Sequence, residues 1–278
     1  MPVDHARLVF DRPDDVAHAA RLLADGRPVA HGFANIYALT ARGDGVGRLN
    51  DLKGRPHDQT GSLTAPAGRV LDAFDLAALP RDVPAGLVAD VVDAFCALGP
   101  FGFRGLAAAH VPPGLTAQDV GTTTTQVIVP GDACPSQAFL RAAADAVPGG
   151  LLAVSSANRS RHVTGGADAP AHWRADALRA ELADAGELVL LEHADEAAAR
   201  ARFPRHATVS TTVLGLHRAE RAHGRVHLVL ERHGSLAAAD VARVLATLGL
   251  RLTIGPRAAV RLRPRTYANR RDALPVVR

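Results

Sequence analysis

Three separated stretches of the sequence carry side chains suited to holding a polyanion. The first is Lys53-Gly54-Arg55, followed by Pro56, and the second is Ser155-Ser156-Ala157-Asn158. The third is Ser210-Thr211-Thr212-Val213, with Arg232-His233-Gly234 on the strand expected after it. A lysine and an arginine two positions apart on an extended segment project to one side, so both charges converge on one anion. Hydroxyl residues and an asparagine at a strand end supply donors beside exposed backbone N–H groups, which suits phosphate oxygens. A further arginine from another strand, Arg232, would close the cage. Neither GxxxxGK[ST] nor GxGxxG occurs, so a P-loop and a dinucleotide fingerprint are both excluded.

Composition singles out one of these residues. The chain has 278 residues and a single lysine, Lys53, against 31 arginines. Arginine has taken over wherever a positive charge suffices, so position 53 calls for a compact ammonium with rotatable donors. The net charge of +4 permits an anionic partner such as a nucleotide or RNA. Cys96 and Cys134 are too few and too far apart for a disulfide framework or a zinc site, which fits a reduced cytoplasmic protein. The opening MPVDHARLVFDRPDD has acids and no long apolar run, so no secretory signal is expected. No stretch reaches the roughly 20 apolar residues a membrane span needs.

The elements that must position these residues follow from hydrophobic period. Asp14 or Asp15 is expected to cap a helix that Gly26 ends, with strands at 28–30 and 35–40 after it. Helices are expected over 67–78, 85–97, 136–147, 171–185, 194–202 and 236–248. Strands are expected at 61–65, 124–129, 151–155, 187–191, 207–214 and 225–231, with loop over 100–120. Alternating strands and helices predict an α/β domain with a mixed sheet covered by helices. The stretch 251–278 holds eight arginines and one acid, so a domain over 1–250 and an Arg-rich extension are expected.

In order and spacing, KGR, SSANRSR, STTV and RHG resemble the motifs of the YrdC/Sua5 family of threonylcarbamoyl-adenylate synthases. Those motifs are KxR, TSAN-x-SG, ST-V-V and R-x-G, and the resemblance spans about residues 14–250. It implies a YrdC/RibB-like twisted sheet with a deep basic cavity. It also implies a reaction joining an amino acid, bicarbonate and ATP into an N-carboxy-aminoacyl adenylate, with pyrophosphate released. By this resemblance Lys53 and Arg55 bind the triphosphate and bicarbonate. Ser155, Ser156 and Asn158 meet phosphates and Mg²⁺-associated oxygens, while Ser210 and Arg232 hold the far side of ATP. A carbamoyltransferase or tRNA would then accept the acyl group.

Departures from the family pattern concentrate where it binds the amino acid. The family's P-T-D-T-V-Y-G-L is replaced by Gly32-Phe33-Ala34-Asn35-Ile36-Tyr37-Ala38-Leu39, so Phe33, Asn35 and Tyr37 are expected to meet the amine. R-V-P becomes Ile128-Val129-Pro130, and the last Gly of TSAN-x-SG becomes Arg161. These changes imply an altered amine specificity. The competing expectation is a non-catalytic module that binds nucleotide or RNA, aided by the basic extension. His217, His223, His227 and His233 are close in sequence but lack metal-site spacing, and are expected on a hairpin surface.

Overall fold

The computed structural model describes residues 7–79, 81, 83–165, 171–184, 188–222 and 224–265. The first elements are β1 (Leu8–Val9), α1 (Pro13–Ala24), β2 (Val29–Phe33), β3 (Ile36–Arg42), α2 (Val46–Lys53) and β4 (Ser62–Thr64). Next come α3 (Ala85–Leu98), β5 (Phe101–Leu106), β6 (Thr116–Asp119), β7 (Thr122–Val129), α4 (Ser136–Ala146) and β8 (Leu152–Ser156). Short helices α5 (Arg161–Thr164) and α6 (Ala175–Glu181) lead to β9 (Val189–Glu192) and α7 (Glu196–Ala201). Then come β10 (Val213–Ala222), β11 (Arg225–Arg232), α8 (Ala238–Thr247) and β12 (Arg251–Ile254). No helix among the described residues is long and apolar enough to cross a membrane.

The strands form one mixed sheet in the order β1-β9-β2-β3-β8-β4-β7-β5-β10-β11-β12, with β6 paired to β7. Its two faces are covered unequally. On one face α3 sets Val88, Val91, Val92 and Phe95 against Phe101 and Phe103, and α8 adds Val241 and Leu245. On the other face α1 packs over β1, β9, β2 and β3, with α4 beside it. Their buried residues, among them Leu23, Phe139 and Leu140, join Phe33, Ile36, Ala38, Ile128 and Val154 in a second apolar cluster. Phe33, Ile36, Ala38, Ile128 and Val154 of that cluster also line the floor of a cavity on this face.

Several elements depart from the sequence expectations. Asp14 and Asp15 lie inside the first turn of α1, where Asp15 accepts the Val9 N–H at 3.0 Å; the helix opens on Pro13 without a side-chain cap. The expected helix at 67–78 is a series of 3-10 turns, which buries Val70, Ala73 and Phe74 without a continuous ladder. The expected loop at 100–120 contains β5 and β6. The sheet also continues past residue 250: β12 pairs parallel with β11, from His227↔Arg251 to Leu230↔Ile254.

Candidate active site

The cavity has a volume of about 710 Å³. Alternation along the strands sends Ile36 and Ala38 of β3, Gln126 and Ile128 of β7, and Val154 and Ser156 of β8 to its floor. Gln126 is fixed by donating to Ser62 Oγ of β4 at 2.8 Å. Arg55, Ser155, Asn158, Ser210 and Arg232 line the walls, so residues widely separated in sequence converge there. Among the described lining residues there is no Asp, Glu or His, while Arg55, Arg232, Arg261 and Arg263 supply four guanidinium groups. A polyanion the size of a nucleotide fits this lining. A Mg²⁺ ion would find no carboxylate among these described lining residues and would have to arrive on phosphate oxygens.

Lys53 does not lie on an extended stretch as expected. It is the last residue of α2, and Gly54 ends the helix in the left-handed region (φ 65°). The lysine is therefore turned inward and is fully buried. Its ammonium donates to the carbonyl oxygen of Ser156, to that of Asn158 at 2.7 Å and to Asn158 Oδ1 at 3.3 Å. Its own carbonyl accepts the Ser160 N–H at 2.9 Å. Within the turn, Ser156 Oγ donates to Asn158 Oδ1 at 2.6 Å. Lys53 thus holds the serine-asparagine turn in shape from beneath. Arg55, two residues on, reaches the cavity and donates to Ser155 Oγ at 3.1 Å.

The far wall is built by residues 209–211, β11 and a strap after β12. Arg232 donates to the Thr211 carbonyl at 2.7 Å and to Thr211 Oγ1 at 2.9 Å. Burial, with Arg104 nearby, pulls its guanidinium down to about 10, so it remains cationic at neutral pH. Gly234 is required beside it, because a Cβ would lie 2.2 Å from the Ser210 carbonyl oxygen. Residues 260–263 then cross the cavity. Leu262 N–H donates to His233 O at 2.9 Å, Arg261 Nε donates to Gly234 O at 3.1 Å, and Arg261 also reaches Ser235 O. Arg265 completes the crossing in an ion pair with Glu181 at 3.3 Å. Burial alone would raise the Glu181 carboxyl, but His172, the Arg159 N–H and Arg265 outweigh it and hold it down to about 2.

Of the residues expected to meet the amine, Phe33 lines the cavity and is almost wholly buried. Asn35 and Tyr37 are not among the lining residues. Asn35 turns away at the β2–β3 corner and donates to His206 O at 2.8 Å. Tyr37 alternates to the opposite face of the sheet, where its hydroxyl donates to Glu196 Oε1 at 2.7 Å. Burial, reinforced by Glu196, pushes that phenol well above its usual range.

Sequence reasoning missed two groupings. A second cavity of about 640 Å³ between β9, α6 and α7 mixes charges that satisfy one another: Glu192 pairs with Arg7 at 2.9 Å and with Arg179. His217, expected on a hairpin surface, is instead buried beside Asp119 (2.7 Å) and Glu231 (3.6 Å). Their ligand atoms lie close enough to hold a cation. Arg218, however, forks onto both Asp119 oxygens and Arg104 pairs with Glu231 at 3.2 Å, so the cluster is charge-balanced as it stands. Only the acidic residues on β6 and β11 could have signalled it, and their register is not legible in one sequence. His223 lies outside the described residues.

No protein-family model matches the chain, and no curated protein matches it by sequence. Solved structures do. A doubly substituted variant of P. abyssi Sua5 superposes with a TM-score of 0.61 at 19% identity, over 90% of this chain and 65% of that one. P. abyssi Sua5 complexed with L-threonine gives 0.59 at 20%, over 87% and 60%. E. coli YciO gives 0.51 at 16%, over 74% and 85%. The chain therefore spans less than two thirds of the length of the Sua5 structures it resembles. Identities this low speak to architecture alone, and on that ground the chain adopts the YrdC/Sua5 fold.

Proposed function

We propose that the cavity binds ATP and an N-carboxylated amine and joins them as an acyl-adenylate. The amine nitrogen bonds to the carbon of bicarbonate and water leaves, giving a carbamate. A carbamate oxygen then attacks the α-phosphorus of ATP, the bond to the β-phosphate oxygen breaks, and pyrophosphate departs with that electron pair. Such a displacement needs charge neutralisation and alignment more than a dedicated base. Arg55 and Arg232 on facing walls would neutralise the triphosphate. Ser155, Ser156, Asn158 and Ser210 would orient its oxygens, and Lys53 would keep the 155–160 turn in the required shape.

The observation that carries this reading is the convergence of the three polar stretches on one cavity with four arginines and no lining acid among the described residues. The fold it shares with P. abyssi Sua5, a protein solved in complex with L-threonine, supports it. The product is a mixed anhydride, so an acceptor must consume it, a carbamoyltransferase or tRNA. The test is bicarbonate-dependent pyrophosphate release from ATP and Mg²⁺ over a panel of amines, with mass spectrometry of the adenylate. Absence of turnover with every amine, together with steeply salt-dependent RNA binding, would replace this reading with the non-catalytic one.

A further inference from the structure

The floor of the cavity has two chemically distinct ends. Phe33, Ile36, Ala38, Ile128 and Val154 line it and also belong to one buried apolar cluster with Phe139 and Leu140. Phe33, Ile36 and Ala38 of β2 and β3 and Val154 of β8 make its apolar wall, while Ser62 of β4, in register with Val154, also lines the cavity and stands between Val154 and Ile128 of β7. Along β8 that wall runs directly into the polar end, because Val154 and Ser156 share a face about 7 Å apart. Along β7 the same step separates Ile128 from Gln126. On the stretch of β2 and β3 that reaches the cavity, no side chain offers a hydrogen bond.

A ligand that spans both ends has an apolar body of a few carbons and an anionic group within about one dipeptide repeat of it. The four guanidinium groups suit a carboxylate, and no lining acid among the described residues would hold an ammonium. We infer that the amine activated here belongs to an amino acid with an aliphatic side chain, of the valine or leucine class, lying against the Phe33/Ile36/Ala38 wall. The inference rests on the adenylation reading above and narrows its substrate. Its amino group, once neutral, becomes the carbamate, and its α-carboxylate faces the arginines. Threonine has the shape of valine with a hydroxyl in place of a methyl, and against Phe33, Ile36 and Ala38 that hydroxyl meets no hydrogen-bonding side chain. Apolar sites discriminate such isosteres by roughly 10- to 100-fold.

The test is ATP–pyrophosphate exchange by the full chain with bicarbonate and valine, leucine, alanine or threonine, with ATP binding measured in parallel by equilibrium dialysis. Valine or leucine is expected to exceed threonine by about 10- to 100-fold in kcat/KM. Ile36→Thr is expected to narrow the valine-to-threonine ratio about tenfold, mainly through KM. Threonine equal to or better than valine and leucine overturns the inference while leaving adenylation standing. No exchange with any amino acid, despite bound ATP, overturns adenylation itself and the inference with it.

Discussion

The buried lysine offers the sharpest test of how the site is built. In Lys53→Met a side chain of similar length replaces the ammonium, and the carbonyls of Ser156 and Asn158 lose their donor beneath the turn. Each buried acceptor left unsatisfied costs about 1–3 kcal/mol. Relief of the ammonium's own desolvation offsets part of this, leaving about 2–4 kcal/mol. For a chain of this size that is a fall in Tm of about 5–15 °C. Arg55→Met is the control: its hydrogen bond to Ser155 Oγ is only part-buried, so Tm should move by less than about 3 °C. Its loss should instead weaken ATP binding about tenfold or more, the effect of one charge-assisted hydrogen bond. Thermal melts and nucleotide titrations of both variants decide the matter. If Lys53→Met melts with the parent yet no longer binds ATP, the ammonium serves the ligand directly and the inward geometry is wrong.

Three further outcomes follow from the same contacts. Burial depresses His31 to about 3, and His193 and His206 to about 4, so all three are neutral in the fold but titrate near 6.5 when unfolded. Their contribution is complete above about pH 6.5 and is lost as pH falls towards 4, at about 1.4 kcal/mol per pH unit for each; urea midpoints that stay flat from pH 7 to 5 would contradict it. Ending the chain after Ile254 keeps every described strand but removes the strap. Nucleotide affinity should fall about tenfold per lost guanidinium contact with far-UV circular dichroism unchanged, and an unaltered affinity would exclude Arg261 and Arg263 from the site. Tyr37→Phe should cost about 1 kcal/mol of stability and leave ATP binding intact, because the hydroxyl faces Glu196 and not the cavity; a loss of binding would place it at the site.

The parts legible in the sequence are those where period and chemistry agree. α3, α4 and α8 lie where their apolar spacing places them, and Ser155–Asn158 ends a strand as its hydroxyls suggested. What stayed hidden depends on tertiary contacts. β5 lies in a stretch that reads as loop from the prolines and glycines around Pro112–Gly114, and its own Gly102 and Gly105 are both needed: a Cβ at 102 would meet Ile128 and Val213 at under 3 Å, and one at 105 would meet Phe74. The strand expected at 207–214 begins only at Val213, because Arg232 takes the Thr211 carbonyl that a ladder would have used. Composition and the KGR stretch single out Lys53, but its direction is set by where α2 ends. The strap over the cavity, hidden in a stretch read as a basic extension, draws its place from Arg261 and Arg265 finding carbonyls and a carboxylate far away in sequence.

The position of that single lysine has a chemical consequence for a protein of the proposed kind. Acyl-adenylates acylate any nucleophilic amine they meet, and lysine side chains are the usual casualties on a protein surface. Here the only ε-amine is enclosed and hydrogen-bonded to main-chain carbonyls, while every other cation described on the surface or around the cavity is a guanidinium, which stays protonated and is inert to acylation. A mixed anhydride leaving the cavity mouth would cross a surface with no side-chain amine to capture it, and would reach its acceptor without first modifying the protein that made it.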